Sequence, residues 1–304
     1  MLGSRAKWVP ALKVIRTGPP KLREFHKIWI LPGPRFPTLS TIQMPPTDNT
    51  RKYLFWTLNT LLGAACLAEL WTPGSPVWLD AATIVLAAVV SIVALNRQLP
   101  LQNVLSAALV TGVIGGLVHG FSARTAIPLG PIVFNSEDGP RLFNAVPWTI
   151  PVLWIAVVFT ARGVGRLMLR PWRKVKSYGY WLIGCTAVLV AVFDFALEPY
   201  AWHVKHLWLW QPTKLALNWH GASPLNFLGW GFAALFILMF ITPSLIRKQP
   251  GSSSAADYHP FAVWLGALLI FGAGSAGAGL WWSVGADAGI AVVTAALAVR
   301  GARW

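Results

Sequence analysis

Eight apolar runs, most of them long enough to cross a lipid bilayer, leave this chain few ways to fold. They cover about residues 53–71, 77–95, 101–121, 145–161, 178–198, 224–246, 261–282 and 285–299. A helix needs ~20 residues to span a hydrocarbon core of ~30 Å. Lipid offers no partner to backbone N–H and C=O groups, so runs of this length cross as helices. The chain is 55% hydrophobic and 12% charged, far too little polar surface for a soluble protein of 304 residues. The expectation is an all-α, polytopic transmembrane helical bundle of seven to eight spans. The last run is the weakest, because it is short and carries Asp287.

The net charge of +15 could suggest nucleic acid, but its distribution points to topology instead. With the N-terminus inside, 21 of the 25 Lys and Arg fall on one side of the membrane, including ten in residues 1–52 and six between Arg162 and Lys176. Only Arg124, Arg141, Lys205 and Lys214 fall on the other. This asymmetry places both termini in the cytoplasm and makes anionic lipid, not nucleic acid, the partner of the basic excess. Residues 1–52 read as a basic, Pro-rich cytoplasmic extension, either lying on the membrane surface or disordered, and residues 53–304 as the transmembrane domain. A multi-pass position in the inner, cytoplasmic membrane of a bacterium is expected. Cys66 and Cys185 lie in separate spans and form no disulfide or metal framework.

Polar chemistry concentrates between Phe193 and Trp230. Asp194 and Glu198 are four residues apart, which puts both carboxylates on one helical face where an apolar helix ends. Two carboxylates at the edge of a low-dielectric region cannot both ionise cheaply, so one protonated and one charged acid form a usable acid and base pair. The stretch also holds His203, His206, His220, Asn226 and several Trp. Trp202, Trp208, Trp210 and Trp219 suit a short helix in the outer interface. Aromatic faces attract cations, so acids among Trp and Phe suit proton-initiated chemistry on an isoprenoid. The bland alternative is that these acids pair with Lys205 or a histidine as a topological anchor. His203 and His206, with Lys205 between them and no clear third ligand, make a poor metal site.

Elsewhere, Glu69 and Asp80 sit near the outer ends of the first two spans, where such acids commonly reach the interface. Gly112, Gly116 and Gly120 permit close helix approach, as does GAGSAGAG at residues 272–279. Residues 119–148 hold too many Gly and Pro for one continuous helix. They read as a loop dipping into the outer mouth of the bundle, with His119, Asn135 or Asn144 presented there. The Arg-rich loop from Arg162 to Lys176 reads as an orientation signal.

At DFALEPYAW and WHGASPLNFLGW the chain resembles the carotenoid biosynthesis family of polytopic carotenoid hydratases, over roughly residues 105–248. Asp194, Glu198 and Pro199 match the family's paired acids and proline. Trp219, Gly221, Pro224, Asn226, Phe227, Gly229 and Trp230 match its later aromatic and Asn-Phe element. His119 stands where the family has a glutamate. Pro128 and Gly130 match the following segment, whereas Leu129, Ile132 and Phe134 replace its aromatic and tyrosine positions. The resemblance implies addition of water across the terminal double bond of an acyclic carotenoid end group, without redox change. The residues themselves, with no phosphate-cradling glycine loop or dinucleotide fingerprint, lead to the expectation of no cofactor and no metal. Asp194, Glu198, His119 and Asn226 are then the candidate catalytic residues. Trp202, Trp219, Phe227 and Trp230 are the candidate substrate contacts. A carotenoid or other isoprenoid lipid is the expected ligand, membrane lipids surround the bundle, and other carotenoid-pathway enzymes are candidate partners. Two rival classes stay open: a non-catalytic carotenoid-binding or scaffold protein, and a small transporter. The transporter ranks third because the intramembrane acids lie toward one side and no internal repeat is visible.

Overall fold

A computed structural model of the chain describes residues 48–72, 76–135, 139–212, 217–246 and 256–304. The expectations for the basic extension fall outside the described residues, apart from its last few positions. Eight helices are long and apolar enough to cross a membrane. They are α1 (Asp48–Trp71), α2 (Val77–Asn96), α3 (Leu101–Thr125), α4 (Thr149–Met168), α5 (Tyr178–Pro199), α6 (Pro224–Ile241), α7 (His259–Gly277) and α8 (Trp281–Ala302). Four short strands, β1 (Ile132–Phe134), β2 (Arg141–Leu142), β3 (Val146–Pro147) and β4 (Trp208–Trp210), lie in the connections.

The helices agree with the hydrophobic runs in number, but three boundaries move for physical reasons. α4 begins four residues late because Val146 and Pro147 pair with Arg141 and Leu142 in a small hairpin. It then continues through Arg162, which is buried and donates Nη2 to the Leu245 carbonyl at 3.0 Å. The break between α7 and α8 falls earlier than hydropathy suggests, where Gly279 turns the chain with φ +74°. Trp281 and Trp282 therefore open α8, which reaches 22 residues and spans comfortably with Asp287 buried inside the bundle.

α4 is the central helix. Most of it is buried, and it packs against α2, α3, α5, α7 and α8. Small residues let α3 approach it, as the glycine spacing predicts: a Cβ on Gly112 would meet Ile155 at 3.3 Å, and one on Gly116 would meet Pro151 at 3.0 Å. Gly115 is tighter still, its added Cβ falling 2.2 Å from Trp154 Cγ. Gly115→Ala is expected to lower stability by about 1–3 kcal/mol through overpacking, readable as an earlier thermal unfolding transition in detergent. The glycine run in α7 packs closely only in part: Gly274 abuts Tyr200, whereas Gly277 and Gly279 have open space beside them.

The connection after α3 dips into the bundle as expected. Leu129, Ile132 and Phe134 are buried, and the Pro128 to Leu129 backbone rests on Gly229 of α6. His119, however, belongs to α3 and not to the loop, and Asn144 is exposed at the tip of the β2–β3 hairpin. The Trp-rich segment is not an interfacial helix. After α5 the chain makes one wide turn at Tyr200–Val204, closed by Lys205 N donating to Tyr200 O at 3.0 Å, and then extends as β4. β4 pairs antiparallel with β1, Phe134 opposite Trp208 and Ile132 opposite Trp210. The two-residue period of a strand turns Trp208 and Trp210 inward and leaves Leu209 exposed.

Candidate active site

Pro199 shapes the end of α5. Having no N–H, it leaves the Phe195 carbonyl without its helical partner, and Trp219 Nε1 donates to that oxygen at 3.1 Å. The segment before α6 is thereby tied to α5. Its turn needs small residues: Gly221 has φ +81°, and a Cβ there would fall 1.7 Å from the Trp202 ring. Pro224 then starts α6 with its fixed φ, placing Asn226 in the first turn.

Asn226 meets both acids. Its Nδ2 donates to Asp194 Oδ2 and, at 3.1 Å, to Glu198 Oε1. Trp208 and Trp210 donate their indole N–H groups to Glu198 Oε2 at 3.2 and 2.9 Å. Asp194, Glu198 and Asn226 are all fully enclosed, at 0%, 1% and 0% exposure. Glu198 thus receives three N–H donors, whereas Asp194 Oδ1 and Asn226 Oδ1 have no hydrogen-bond partner. Among the described residues no cation pairs with either acid.

Lys205 is committed elsewhere. Its Nζ lies 2.7 Å from Glu69 Oε2 and 2.6 Å from Asp80 Oδ1, with Tyr200 Oη donating to Glu69 at 3.4 Å. The anchor expected for Asp194 and Glu198 is therefore built by Glu69 and Asp80. Glu69 is buried and does not reach the interface. Both acids line an apolar cavity of about 110 Å³, whose walls include Phe193, Leu197, Tyr200, Trp208 and Phe271. Trp208 joins the two regions, since it lines this cavity and its Nε1 donates to Glu198.

His119 stands one ring away from the acids. Trp154 Nε1 approaches His119 Nδ1 at 3.0 Å, and the Gly115 carbonyl lies 3.2 Å from the same nitrogen. An indole N–H can only donate and a carbonyl can only accept, so Nδ1 satisfies one of the two at a time. It accepts from Trp154 when the ring proton is on Nε2 and donates to Gly115 when the proton is on Nδ1. The imidazole packs edge-on against Trp230 at 5.3 Å, and Trp230 stacks on Trp154 at 4.2 Å. Phe134 links His119 to Trp208, with ring centroids 6.1 and 6.4 Å apart. No hydrogen bond joins His119 to Asp194, Glu198 or Asn226.

The expected substrate contacts separate into two groups. Trp230 is buried beside His119. Trp219 stacks on Phe195 at 4.5 Å with Phe227 edge-on behind it, and Trp202 stacks on His203. Next to them His220, half-buried outside the spans, lies 2.9 Å from Ser283 Oγ; burial, and then His203, hold its pKa below the ordinary 6.5. The contacts that sequence reasoning missed are those of Trp208, Trp210 and Trp154. The i, i+2 spacing of Trp208 and Trp210 was the available signal, because it fits a strand and not a helix.

No curated protein and no solved structure matches the chain. The family described as carotenoid biosynthesis protein matches residues 79–296, which extends the resemblance seen in the sequence at both ends and takes in α3 to α7 whole, with most of α2 and α8. With eight membrane-capable helices and a family match over most of its length, the chain is a multi-pass membrane protein of the carotenoid biosynthesis protein family.

Proposed function

We propose that the protein hydrates the terminal double bond of an acyclic carotenoid end group, with Asp194 and Glu198 exchanging the proton. The observation that carries this reading is Asn226 bridging two enclosed carboxylates that no cation among the described residues neutralises. Three N–H donors favour Glu198 as the charged partner, while Asp194 Oδ1, which meets no donor, is the position for a transferable proton. The alkene takes that proton and becomes a tertiary carbocation. Water adds to the cation, and the oxonium returns a proton to the carboxylate pair, leaving the enzyme as it began. The end group is assigned to the adjacent cavity beside Phe193, Leu197 and Trp208, where aromatic faces stabilise the cation. Neither Asp194 nor Glu198 lines it, so Trp208, which lines it and donates to Glu198, is the wall that has to shift for the proton to reach the alkene. The Glu69 and Asp80 end of the cavity supplies a polar place for water. In this reading Trp230 and His119 support the Trp208 wall and do not touch the reacting carbons.

The charge asymmetry supports an inner-membrane topology with both termini cytoplasmic, so that the acid centre lies toward the outer face. Expression in a bacterial host that accumulates lycopene or another acyclic-ended carotenoid tests the function. The expected product is heavier by one water, and in heavy water it carries one carbon-bound deuterium per hydrated end. Product formed without deuterium in the carbon framework rules out proton-initiated addition. A binding or scaffold role is the second reading. It is favoured by an apolar groove of about 670 Å³ along α3 and α4, lined by Gly112, Gly116 and Pro151. Pigment that copurifies unchanged selects it.

A further inference from the structure

The end of the bundle away from the acid centre carries a second built site. Tyr178 opens α5 sixteen residues before Asp194, which separates the two regions by ~24 Å along the helix. Beside Tyr178 a cavity of about 220 Å³ lies between α2, α4 and α7. Its lining brings together Arg162, Arg166, Arg170 and Arg173, with Gln98 and Asp257 opposite. A second cavity, of about 360 Å³, shares Arg162, Arg166 and Tyr178 and adds Lys176.

Arg162 is the decisive residue. It is only 5% exposed, yet just one side of its guanidinium is used, Nη2 donating to the Leu245 carbonyl. Its Nη1 is buried without a hydrogen-bond partner. An N–H of a buried cation left unmet is costly, and an anion is the partner that offsets that cost best. The carboxylate in the lining does not serve. Asp257 accepts from Gln98 Nε2 at 3.0 Å and from His259 N at 3.1 Å, and no ion pair joins it to Arg162. Arg166 Nη1 reaches Gln98 Oε1 at 3.3 Å, which holds a second guanidinium at the same cavity. Planar guanidinium forks match the oxygens of a phosphate group, and Leu95 and Phe159 give the cavity an apolar wall.

We propose that this arginine cavity binds a phosphate group, with Arg162 as the buried donor and Arg166 and Arg173 on the rim. The phosphate belongs either to an anionic lipid headgroup or to a free phosphate or diphosphate. The site is independent of the hydration chemistry, so a failed hydration assay leaves it standing.

The test is native mass spectrometry of the full chain purified in a neutral detergent. It is titrated with phosphatidylglycerol, and then with inorganic phosphate or diphosphate as competitors. Wild type is expected to bind one phosphatidylglycerol saturably, or to bind the free anion at the same site. Arg162→Gln and the rim variant Arg166→Ala/Arg173→Ala are each expected to weaken that binding by about tenfold or more, as loss of a charge-assisted hydrogen bond implies. Lipid binding that phosphate does not displace identifies the headgroup as the source, and displacement identifies the free anion. Should Arg162→Gln fail to fold, the rim variant, whose residues are exposed, carries the test. Absence of saturable binding of every probe to wild type, or equal binding to wild type and the rim variant, overturns the proposal and leaves Arg162 as a prop for Leu245.

Discussion

Asp194→Asn is expected to abolish the hydrated carotenoid while leaving the protein folded and membrane-inserted. An amide of the same shape can still accept from Asn226 Nδ2 through its own oxygen, with its NH2 in place of the unpartnered Asp194 Oδ1, so the packing between α5 and α6 is retained. What disappears is the exchangeable proton. Glu198→Gln is expected to act the same way, because its carbonyl oxygen can keep both indole donors while the carboxylate that receives the proton is lost. Loss of a positioned proton donor or acceptor lowers rates by about 10²–10⁴-fold. Chromatography and mass spectrometry of pigment from matched strains read the effect directly. Full product from both variants, at wild-type protein levels, removes this pair from the chemistry. Loss of product with Asp194→Asn alone keeps the donor and moves the base elsewhere.

Removal of one charge at the other buried cluster is expected to be the most destabilising single change. Lys205→Met leaves Glu69 and Asp80 facing each other without their cation, in a region where their side chains are 2% and 11% exposed. Breaking a buried pair by deleting one partner costs about 3–5 kcal/mol. The variant should therefore unfold in detergent well before wild type, and accumulate poorly in the membrane. The triple variant Lys205→Met/Glu69→Gln/Asp80→Asn separates charge from packing. It is expected to recover most of the lost stability, since neutral amides do not repel. If the triple variant is no more stable than Lys205→Met, the lysine stem, and not its charge, holds the cluster.

The two acid clusters show how far the residues could be read without coordinates. Asp194 and Glu198 were visible as a pair because a helix brings residues four apart onto one face, whatever the rest of the chain does. Asn226 was visible as a polar residue in the same stretch and, through the family motif, as a candidate for the site, but not as the bridge between the acids. Its meeting with both acids depends on Pro224 starting α6 and on Gly221 passing beside Trp202, contacts between segments that spacing alone does not encode. Lys205 was legible as a partner for acids but not for which acids. That choice was made by the wide turn at Tyr200–Val204, which rotates the lysine away from α5 and toward α1 and α2. The same turn releases the chain into β4, where Trp208 and Trp210 become hydrogen-bond donors to Glu198.

Sequence by itself determined what lipid demands: the number of spanning helices, the charge asymmetry, and the helical face that carries both carboxylates. These follow from the free energy of backbone and side chains in a bilayer, which acts on each segment separately. Tertiary structure decided the rest. Which cation met which acid, which indoles turned inward, and where Arg162 was left with an unmet N–H are outcomes of helix contact. A buried polar group has to find its partner among whatever neighbours packing supplies, and those neighbours are distant in the chain.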